Sequence, residues 1–308
     1  DATVNEEWNC DKGRWAFKYV TSVDRLTTPM VRNSAGDLVA ASWPEALAAA
    51  AKGLKAAKAA VLVGGRATYE DAYGYSKFAR IALGTNDIDF RSRLSSNEER
   101  EFLAARVVGS TTTYVDIDRA DHVLLVGFEP EEESPIVFLR INKQVRKRAL
   151  KVTAIATKLS IGVEKLKGEF VKVAPGAEAS AIASQSLSAK SVILVGERAA
   201  ESAGVLSAVA ALADSTGAKI AWIPRRAGER GALEAGAIGN LLPGGRPVTD
   251  ASARVDIAAV WGVDSLPSAE GKSAQEIYAA AHTGEIGALL VGGVDPLDGD
   301  NSQGALAA

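Results

Sequence analysis

The chain has 308 residues, 47% of them hydrophobic, and a formal net charge of −3. This length predicts two domains or one domain with an insertion, and the hydrophobic content is ample for a core. The acidic balance argues against broad electrostatic capture of nucleic acid, and an aromatic content of 6% argues against base-stacking platforms. No apolar segment is long enough to span a bilayer. The chain opens with Asp1 in polar sequence, which suggests a fragment of a longer protein.

The front of the chain, residues 1–41, has the pattern of a small antiparallel lead-in. Residues 29–32 and 38–42 predict two strands joined by the turn Asn33-Ser34-Ala35-Gly36-Asp37. The motif Ser42-Trp43-Pro44-Glu45 then predicts a helix start, since Ser42 can cap the first amides and Glu45 can bond back.

Beyond the lead-in, helical and buried-strand patterns alternate. The predicted helices are 46–60, 69–83, 97–108, 135–149, 177–187, 200–215 and 273–282. The predicted strands are 61–63, 87–93, 122–126, 151–156, 191–195, 219–223, 256–261 and 287–291. The glycine-rich stretch 228–245 is interpreted as a long ordered loop rather than a phosphate cradle, because no Gly-x-Gly-x-x-Gly pattern follows a strand. This alternation predicts a three-layer αβα fold with mostly parallel sheets.

Four of the apolar strands end abruptly in glycine. Val61-Leu62-Val63-Gly64-Gly65 and Val192-Ile193-Leu194-Val195-Gly196-Glu197 are the shorter examples, and the longer ones run on into Gly127-Phe128-Glu129-Pro130 and Gly293-Val294-Asp295-Pro296. Ligands bind at such carboxyl-end loops in open α/β sheets. Candidate ligand-contacting residues are therefore Gly64, Gly65, Gly127, Glu129, Gly293 and Asp295. The alternative is that these loops are only tight strand-to-helix turns.

Residues for nucleophilic or metal chemistry are scarce. The sequence contains no Gly-x-Ser-x-Gly elbow and no cluster with zinc-ligand spacing. His122 and His282 are interpreted as structural, and the acidic residues Glu98, Glu99 and Glu101 as a solvated helix face. The basic residues of the predicted helix 135–149 are interpreted in the same way, with a partner contact as the alternative; they are Arg140, Lys143, Arg146, Lys147 and Arg148.

Cys10 is the single cysteine. It excludes an internal disulfide framework and fits a reducing compartment. One thiolate cannot hold an iron–sulfur cluster, which usually takes four, so composition alone favours an ordinary thiol.

Several segments together resemble the molybdopterin oxidoreductase family. The first are Arg25-Leu26-Thr27-Thr28-Pro29-Met30-Val31-Arg32 and Ser42-Trp43-Pro44-Glu45-Ala46-Leu47, followed by the paired loops at 127–130 and 293–296. Three further stretches resemble one branch, the cluster-bearing large subunits of bacterial NADH:quinone oxidoreductase (respiratory complex I). They are Asn5-Glu6-Glu7-Trp8, Cys10-Asp11-Lys12-Gly13-Arg14 and Gly84-Thr85-Asn86-Asp87-Ile88-Asp89-Phe90-Arg91. The resemblance is strong in the front half and diffuse between about 160 and 250.

The resemblance implies an interleaved architecture. Residues 1–41 would end an iron–sulfur lead-in domain with antiparallel strands. A first α/β domain would combine 42–95 with 177–308, and a second would be inserted at 96–176. Cys10 would match the last ligand of a 4Fe–4S cluster whose other ligands lie upstream of Asp1. Further 4Fe–4S and 2Fe–2S clusters would belong to the full-length chain, and the fragment itself would hold none.

One departure from the family pattern decides the functional expectation. A molybdenum enzyme of this family needs a cysteine, selenocysteine or serine ligand near residues 91–100, where this chain has no cysteine and only Ser92, Ser95 and Ser96. We therefore expect a non-catalytic structural domain without molybdopterin. It would contact other peripheral-arm subunits of complex I on the cytoplasmic side of the inner membrane, without inserting into it. The alternatives are an active, formate-dehydrogenase-like molybdopterin enzyme and a plain nucleotide-binding module.

Overall fold

The computed structural model describes residues 1–93, 95–298 and 302–308. The strands are β1 (Met30–Arg32), β2 (Leu38–Ala40), β3 (Ala59–Val63), β4 (Ile88–Asp89), β5 (His122–Val126), β6 (Lys151–Ala156), β7 (Glu169–Lys172), β8 (Val192–Gly196), β9 (Lys219–Ile223), β10 (Leu241–Leu242), β11 (Arg246–Pro247) and β12 (Ala288–Gly292). The helices are α1 (Asp11–Trp15), α2 (Trp43–Ala56), α3 (Tyr69–Ile81), α4 (Asn97–Phe102), α5 (Tyr114–Arg119), α6 (Pro130–Glu133), α7 (Pro135–Arg148), α8 (Ile161–Lys165), α9 (Glu178–Ala183), α10 (Val205–Thr216), α11 (Glu229–Glu234), α12 (Ala251–Trp261), α13 (Ala274–His282) and α14 (Ser302–Ala307).

The lead-in ends in the predicted hairpin. β1 and β2 pair antiparallel, with Val31 opposite Val39, and the following helix begins at the predicted motif. The Ser42 side chain accepts a hydrogen bond from the Glu45 amide, and the Glu45 carboxylate accepts one from the Ser42 amide at 2.8 Å. This reciprocal capping satisfies amide groups that a helix leaves without partners in its first turn.

Two parallel sheets form the centre of the molecule. One has the order β12-β3-β4, and the other has the order β7-β6-β5-β8-β9. Within the five-stranded sheet the chain turns back at β5, since β6 lies on one side of it and β8 on the other. A reversal of this kind opens a crevice at the carboxyl end of the sheet.

Both faces of the five-stranded sheet are covered by helices. Val123 and Leu125 point to a core that includes Val137 and Ile141 of α7. Their neighbours Leu124 and Val126 point to the opposite core, which includes α10. Because side chains alternate across a strand, an unbroken apolar run is the expected pattern for a strand buried on both faces. The three-layer α/β fold is thereby confirmed.

The pairing corrects where two strands belong. The sequence pattern predicts residues 177–308 in the first α/β domain, yet β8 and β9 pair within the sheet of the inserted segment. β12 returns to β3, and the β10–β11 hairpin is joined to β4 through the bridge between Asp89 and Ile238. Strand partners are chosen over long sequence separations, and the local pattern of an apolar strand does not encode which sheet it joins.

Another correction concerns the predicted strand 256–261, which is part of helix α12. Asp250 accepts a hydrogen bond from the Ser252 amide at 2.9 Å, and Gly262 ends the helix with φ of 70°. A left-handed glycine after the last turn is a common helix terminus. Trp261 packs edge-on against Tyr73 and donates a hydrogen bond to its hydroxyl. The stretch 228–245 also differs from the predicted loop, because it contains α11 and β10.

Two predicted solvated faces are wrong in part, since Glu101, Arg146, Lys147 and Arg148 are exposed as predicted. Glu99 is buried beside Arg91 and Arg93, and Glu98 accepts hydrogen bonds from the amides of Gly204 and Ser207 at the start of α10. On α7, Arg140 is 3% exposed. Glu99 is buried because it pairs with both arginines, and Arg140 is buried because it bonds to Asp118 and to the main chain of Thr3 and Val4. Among the described residues, no helix combines the length and hydrophobicity needed to cross a membrane.

Candidate functional site

The loops that follow β3 and β12 cross each other at the end of the three-stranded sheet. The Gly64 amide donates a hydrogen bond to the Gly292 carbonyl oxygen at 2.7 Å. A Cβ atom built on Gly64 would lie 1.8 Å from the Gly293 carbonyl oxygen. Glycine is therefore needed at position 64 for contact between two main chains.

The neighbouring Gly65 packs against the segment that precedes α11. The Gly228 amide donates to the Gly65 carbonyl oxygen at 2.8 Å. A Cβ atom on Gly65 would lie 2.4 Å from Cγ of Glu229. The space beside this loop is thus filled by a glutamate side chain.

Asp295 lies in the exposed part of the β12 exit loop. Its carboxylate accepts a hydrogen bond from the Leu297 amide at 2.9 Å, which stabilises the short 3-10 turn Pro296–Asp298. Local bonding of this kind is the usual role of aspartate in a turn. Asp295 therefore stabilises the turn in which it lies.

The remaining candidates, Gly127 and Glu129, lie at the end of the five-stranded sheet. Gly127 has φ of 57°, and a Cβ atom there would lie 2.4 Å from the Ala199 amide nitrogen. The β5 exit is also close to the β8 exit, because a Cβ on Gly196 would lie 2.3 Å from the Gly127 carbonyl oxygen. The Glu129 side chain accepts a hydrogen bond from the Glu131 amide at 3.2 Å and caps α6.

A cavity of about 540 Å³ lies over this second group of loops. Gly127 and Glu129 line it, whereas Gly64, Gly65, Gly293 and Asp295 do not. Its other polar lining residues come from the exits of β6 and β8 and from α9; they are Thr157, Lys158, Ser160, Glu178, Arg198, Glu201 and Ser202. The six candidates therefore form two groups, one at the end of each sheet.

A buried cluster of charges connects the two groups, and the sequence interpretation missed it. Arg91, at 1% exposure, pairs with Asp89 at 2.9 Å and with Glu99 at 3.3 Å. Arg93 pairs with Glu99 at 2.7 Å. The available signal was the alternation in Asp89-Phe90-Arg91-Ser92-Arg93, where charged residues recur at every second position of a strand exit.

Arg93 extends this cluster towards both sheets. Its Nε lies 3.4 Å from Oε2 of Glu197, which follows β8, and its Nη2 lies 3.9 Å from Oε2 of Glu229. Arg226, at the rim, lies 3.4 Å from the other Glu229 oxygen. Glu229 is also the residue that fills the space beside Gly65. We call Asp89, Arg91, Arg93, Glu99, Glu197 and Glu229 the charge cluster.

Burial and ion pairing act on the protonation of the charge cluster in opposite directions. It raises the pKa of Glu229 to about 8, against the opposing effect of Arg93 and with a further increase from Glu197. Burial alone would lower the pKa of Arg91, but the carboxylates Asp89 and Glu99 outweigh it and raise that pKa. The arginines therefore stay charged, while Glu229 is neutral in most of the molecules at neutral pH.

Two of the three serines near the expected metal position make hydrogen bonds within the protein. Ser96 Oγ accepts a hydrogen bond from the Glu99 amide at 3.1 Å and caps α4. Ser95 Oγ donates to the Gln275 side chain at 2.8 Å. Ser92 is half-buried between Arg91 and Arg93.

The other singled-out residues lie away from these loops. Cys10 is partly exposed, and its sulfur accepts a hydrogen bond from the Gly13 amide at 3.4 Å. His122 shares a hydrogen bond of 2.8 Å with Thr153, as expected of a structural histidine. His282 shares one of 3.2 Å with the Ala307 carbonyl oxygen.

The fold and these loops define a class of protein. Its members are interleaved α/β proteins with glycine loops at the carboxyl ends of their parallel strands. The chain belongs to the molybdopterin oxidoreductase family, whose model matches residues 25–305.

Individual relatives show which members of this family the chain resembles. The chain is 53% identical to the G subunit of the NADH-quinone oxidoreductase of Mycobacterium bovis, over 100% of this chain and 40% of that protein. It is 51% identical to the corresponding G subunit of Streptomyces coelicolor, over 96% of this chain and 39% of that protein. The F420-dependent formate dehydrogenase subunit alpha of Methanocaldococcus jannaschii is 33% identical over 58% of this chain and 27% of its own length. The chain thus spans about two fifths of the length of the NADH-quinone oxidoreductase relatives.

At the end of the three-stranded sheet, the residues present do not fit the molybdopterin guanine dinucleotide centre that the family implies. The space beside Gly64 and Gly65 is occupied by protein atoms. A Cβ atom built on either glycine would clash with them. The nearby carboxylates that could act as metal ligands are already paired with arginines, and Ser95 and Ser96 bond to protein groups. In the described part of the chain, no group of three His, Cys, Asp or Glu residues is arranged to hold a metal ion.

Proposed function

We propose that this chain is a non-catalytic, structural molybdopterin-fold domain of a G subunit of NADH:quinone oxidoreductase. It would stand in the peripheral arm of complex I, on the cytoplasmic side of the membrane. There it would support the iron–sulfur clusters that pass electrons from NADH toward quinone. The proposal is supported by the identity of 53% to such a G subunit over 100% of this chain. Its partners would be the other peripheral-arm subunits.

The observation that carries the non-catalytic part of the proposal is the charge cluster. A cofactor-binding end of the sheet needs open space beside its glycines, and here Glu229 packs against Gly65 and pairs with Arg93. Arg93 reaches Glu197, which follows β8, and Glu229, which lies beside Gly65, so we infer that this arrangement is a structural connection between the two sheets. The cluster would hold them together without a cofactor between them.

Cys10 fits the proposed electron-transfer context. As the last ligand of a 4Fe–4S cluster, its thiolate would receive a hydrogen bond from the Gly13 amide, an interaction that tunes cluster potentials. The other ligands and the remaining 4Fe–4S and 2Fe–2S clusters would come from the rest of the longer protein. Two interleaved α/β units, one around β3 and one around β5, would form the support.

The test uses the full-length protein, affinity-purified from the membranes of its host. NADH-to-acceptor electron transfer and molybdenum content are measured on the same sample. We expect NADH activity without stoichiometric molybdenum. Stoichiometric molybdenum with a pterin released on denaturation would overturn the proposal and favour the formate-dehydrogenase-like alternative.

The cavity at the end of the five-stranded sheet supports a second candidate, a nucleotide-binding module without redox chemistry. It lies at the reversal of strand order and offers the cations Lys158 and Arg198 to an anionic ligand. This candidate predicts micromolar binding of GMP to the 308-residue chain by calorimetry. Lys158→Met should weaken that binding at least tenfold, whereas Lys151→Met, on β6 but outside the cavity, should leave it unchanged. No heat of binding at millimolar GMP would exclude it.

A further inference from the structure

The start of the chain is held by helix α7. Arg140 donates hydrogen bonds to the carbonyl oxygens of Thr3 at 2.7 Å and of Val4 at 2.8 and 3.0 Å. The guanidinium also donates a hydrogen bond from Nη1 to Oδ2 of Asp118 at 2.6 Å. Its Cζ lies 4.9 Å from the centroid of the Tyr114 ring. Thus an arginine that is 3% exposed uses most of its donors on the main chain of the first residues.

One helical turn further on, Lys143 makes a second set of contacts. Its ammonium group donates to both Glu6 carboxylate oxygens, at 2.5 and 2.8 Å. The same group lies 5.4 Å from the centroid of the Trp8 ring, within the range of a cation–π contact. Asn5 closes the segment on itself by donating to the Trp8 carbonyl oxygen at 2.7 Å. The segment is therefore recognised by its carbonyls, by an acidic side chain and by an aromatic ring.

The part of the lead-in that follows has no comparable anchor. For residues 13–28, each hydrogen bond in the described part of the chain joins residues at most five positions apart, as in Arg14 to Asn9. The aromatic side chains of Trp15, Phe17 and Tyr19 are all more than half exposed. Cys10 lies two residues after Trp8 and twenty residues before β1. Its position therefore depends on the contacts of the preceding segment.

Release of this segment would remove three of the hydrogen bonds that Arg140 makes and leave it Asp118. A hydrogen bond to a charged group contributes more to stability than one between neutral groups, so this loss is costly. The same contacts explain why Arg140 and Lys143 do not belong to the solvated part of the helix. The cations and the segment stabilise each other.

We propose that the face of α7 carrying Arg140 and Lys143 is a receptor for residues 3–8, and that this receptor, rather than the β1–β2 hairpin, sets the position of Cys10. Arg140 and Lys143 are positioning residues. The inference deepens the proposed function and rests on it where Cys10 is taken as a cluster ligand. The geometry of the receptor itself stands independently of that assignment.

The single cysteine allows a direct test in the 308-residue chain. A spin label on Cys10 is paired with a second label at Arg146→Cys, on the exposed side of α7, and the distance distribution is measured by pulsed electron paramagnetic resonance. We expect a narrow distribution that broadens at least twofold in Arg140→Met and by a smaller factor in Lys143→Met. Lys147→Met, an exposed residue on the same helix, should leave the width unchanged.

A second label pair monitors folding. Labels at Arg146→Cys and Lys190→Cys, with Cys10→Ser, should keep a narrow distribution in Arg140→Met. An unchanged Cys10 distribution in Arg140→Met with the control pair narrow would overturn the receptor. If the control pair broadens because Arg140→Met does not fold, Lys143→Met decides, and an unchanged width there would overturn it.

Hydrogen exchange provides a label-free readout. In Arg140→Met, the amides of residues 5–8 should exchange at least tenfold faster, while those of β5 keep their rate. Molybdenum content of the full-length protein separates the two proposals. Molybdenum together with a narrow Cys10 distribution would overturn the proposed function alone, and a broad distribution in the unsubstituted chain without molybdenum would overturn the receptor alone.

Discussion

At Gly64 two loops cross with their main chains in contact, so a side chain there has no space. Gly64→Ala places a carbon 1.8 Å from the Gly293 carbonyl oxygen, which is backbone and cannot rotate away. We expect a loss of at least about 3 kcal/mol in the free energy of unfolding, measured by urea denaturation. Gly74→Ala, in α3 with no atom within 4 Å, is the matched control and should stabilise by up to about 1 kcal/mol. A Gly64→Ala protein as stable as the control would contradict the close contact.

Glu229 makes stability depend on pH. Burial raises its pKa from 4.5 to about 8, so the folded chain holds a proton that the unfolded chain releases between these values. The resulting stabilisation is complete below pH 4.5 and is lost as the pH rises through about 8. In Glu229→Gln this loss should disappear, so the variant should gain up to about 1.4 kcal/mol per pH unit relative to the original chain.

The measurement for Glu229 is the free energy of unfolding from about pH 5 to about pH 8.5, a range that brackets the titration. Glu101→Gln, at a glutamate whose side chain is 71% exposed, serves as the control and should follow the pH profile of the unsubstituted chain. Equal slopes for Glu229→Gln and the unsubstituted chain would show that Glu229 titrates normally.

At the scale of elements, α3 and the glycine-rich stretch before β10 depend on one side chain. Arg80 of α3 donates to the carbonyl oxygens of Gly236 at 2.9 Å and Leu241 at 2.7 Å. Burial lowers the pKa of Arg80 to about 10, which still leaves it charged at neutral pH. The stretch is ordered because these buried carbonyls receive charged donors.

Arg80→Met should therefore cost about 3 kcal/mol in the free energy of unfolding, because several buried carbonyls lose their donor. Urea denaturation gives the value, and hydrogen exchange should show the loss concentrated in residues 232–242. Lys77→Met, on the same helix, should change stability by less than about 0.5 kcal/mol. Uniformly increased exchange over the whole chain would argue against a local role.

At the scale of the whole molecule, the two sheets share one core. Val61 and Val63 of β3 belong to the same apolar cluster as Leu124 and Val126 of β5. Arg93 adds ion pairs that reach Glu197 and Glu229 from the ends of different elements. Such continuity favours cooperative unfolding of both sheets.

We expect a single calorimetric transition for the 308-residue chain. Arg93→Met should lower the free energy of unfolding by about 3 to 5 kcal/mol, because Glu99, Glu197 and Glu229 all lose a buried cation that they contact. Arg146→Met, on the exposed side of α7, should leave the temperature of the calorimetric transition unchanged. Two resolved transitions in the unsubstituted chain would show that the sheets unfold independently.

The sequence by itself determined the features that depend on neighbouring residues. The capping motif at Ser42, the hairpin at 30–40 and the apolar strands around 122–126 follow from local propensity and alternation, and their motifs also indicated the family. Predicted helix and strand types agree wherever such signals are strong. The stretch 256–261 was ambiguous, since a short apolar run suits either a helix or a strand.

Tertiary structure alone decided which distant groups meet. The local sequence pattern does not encode that β8 and β9 join the five-stranded sheet. It also does not encode the burial of Glu99 between two arginines, or the binding of residues 3–8 to Arg140. A charged residue has the same local pattern whether it faces water or a buried partner. The free energy that separates these cases comes from desolvation and pairing, and both are properties of the folded chain.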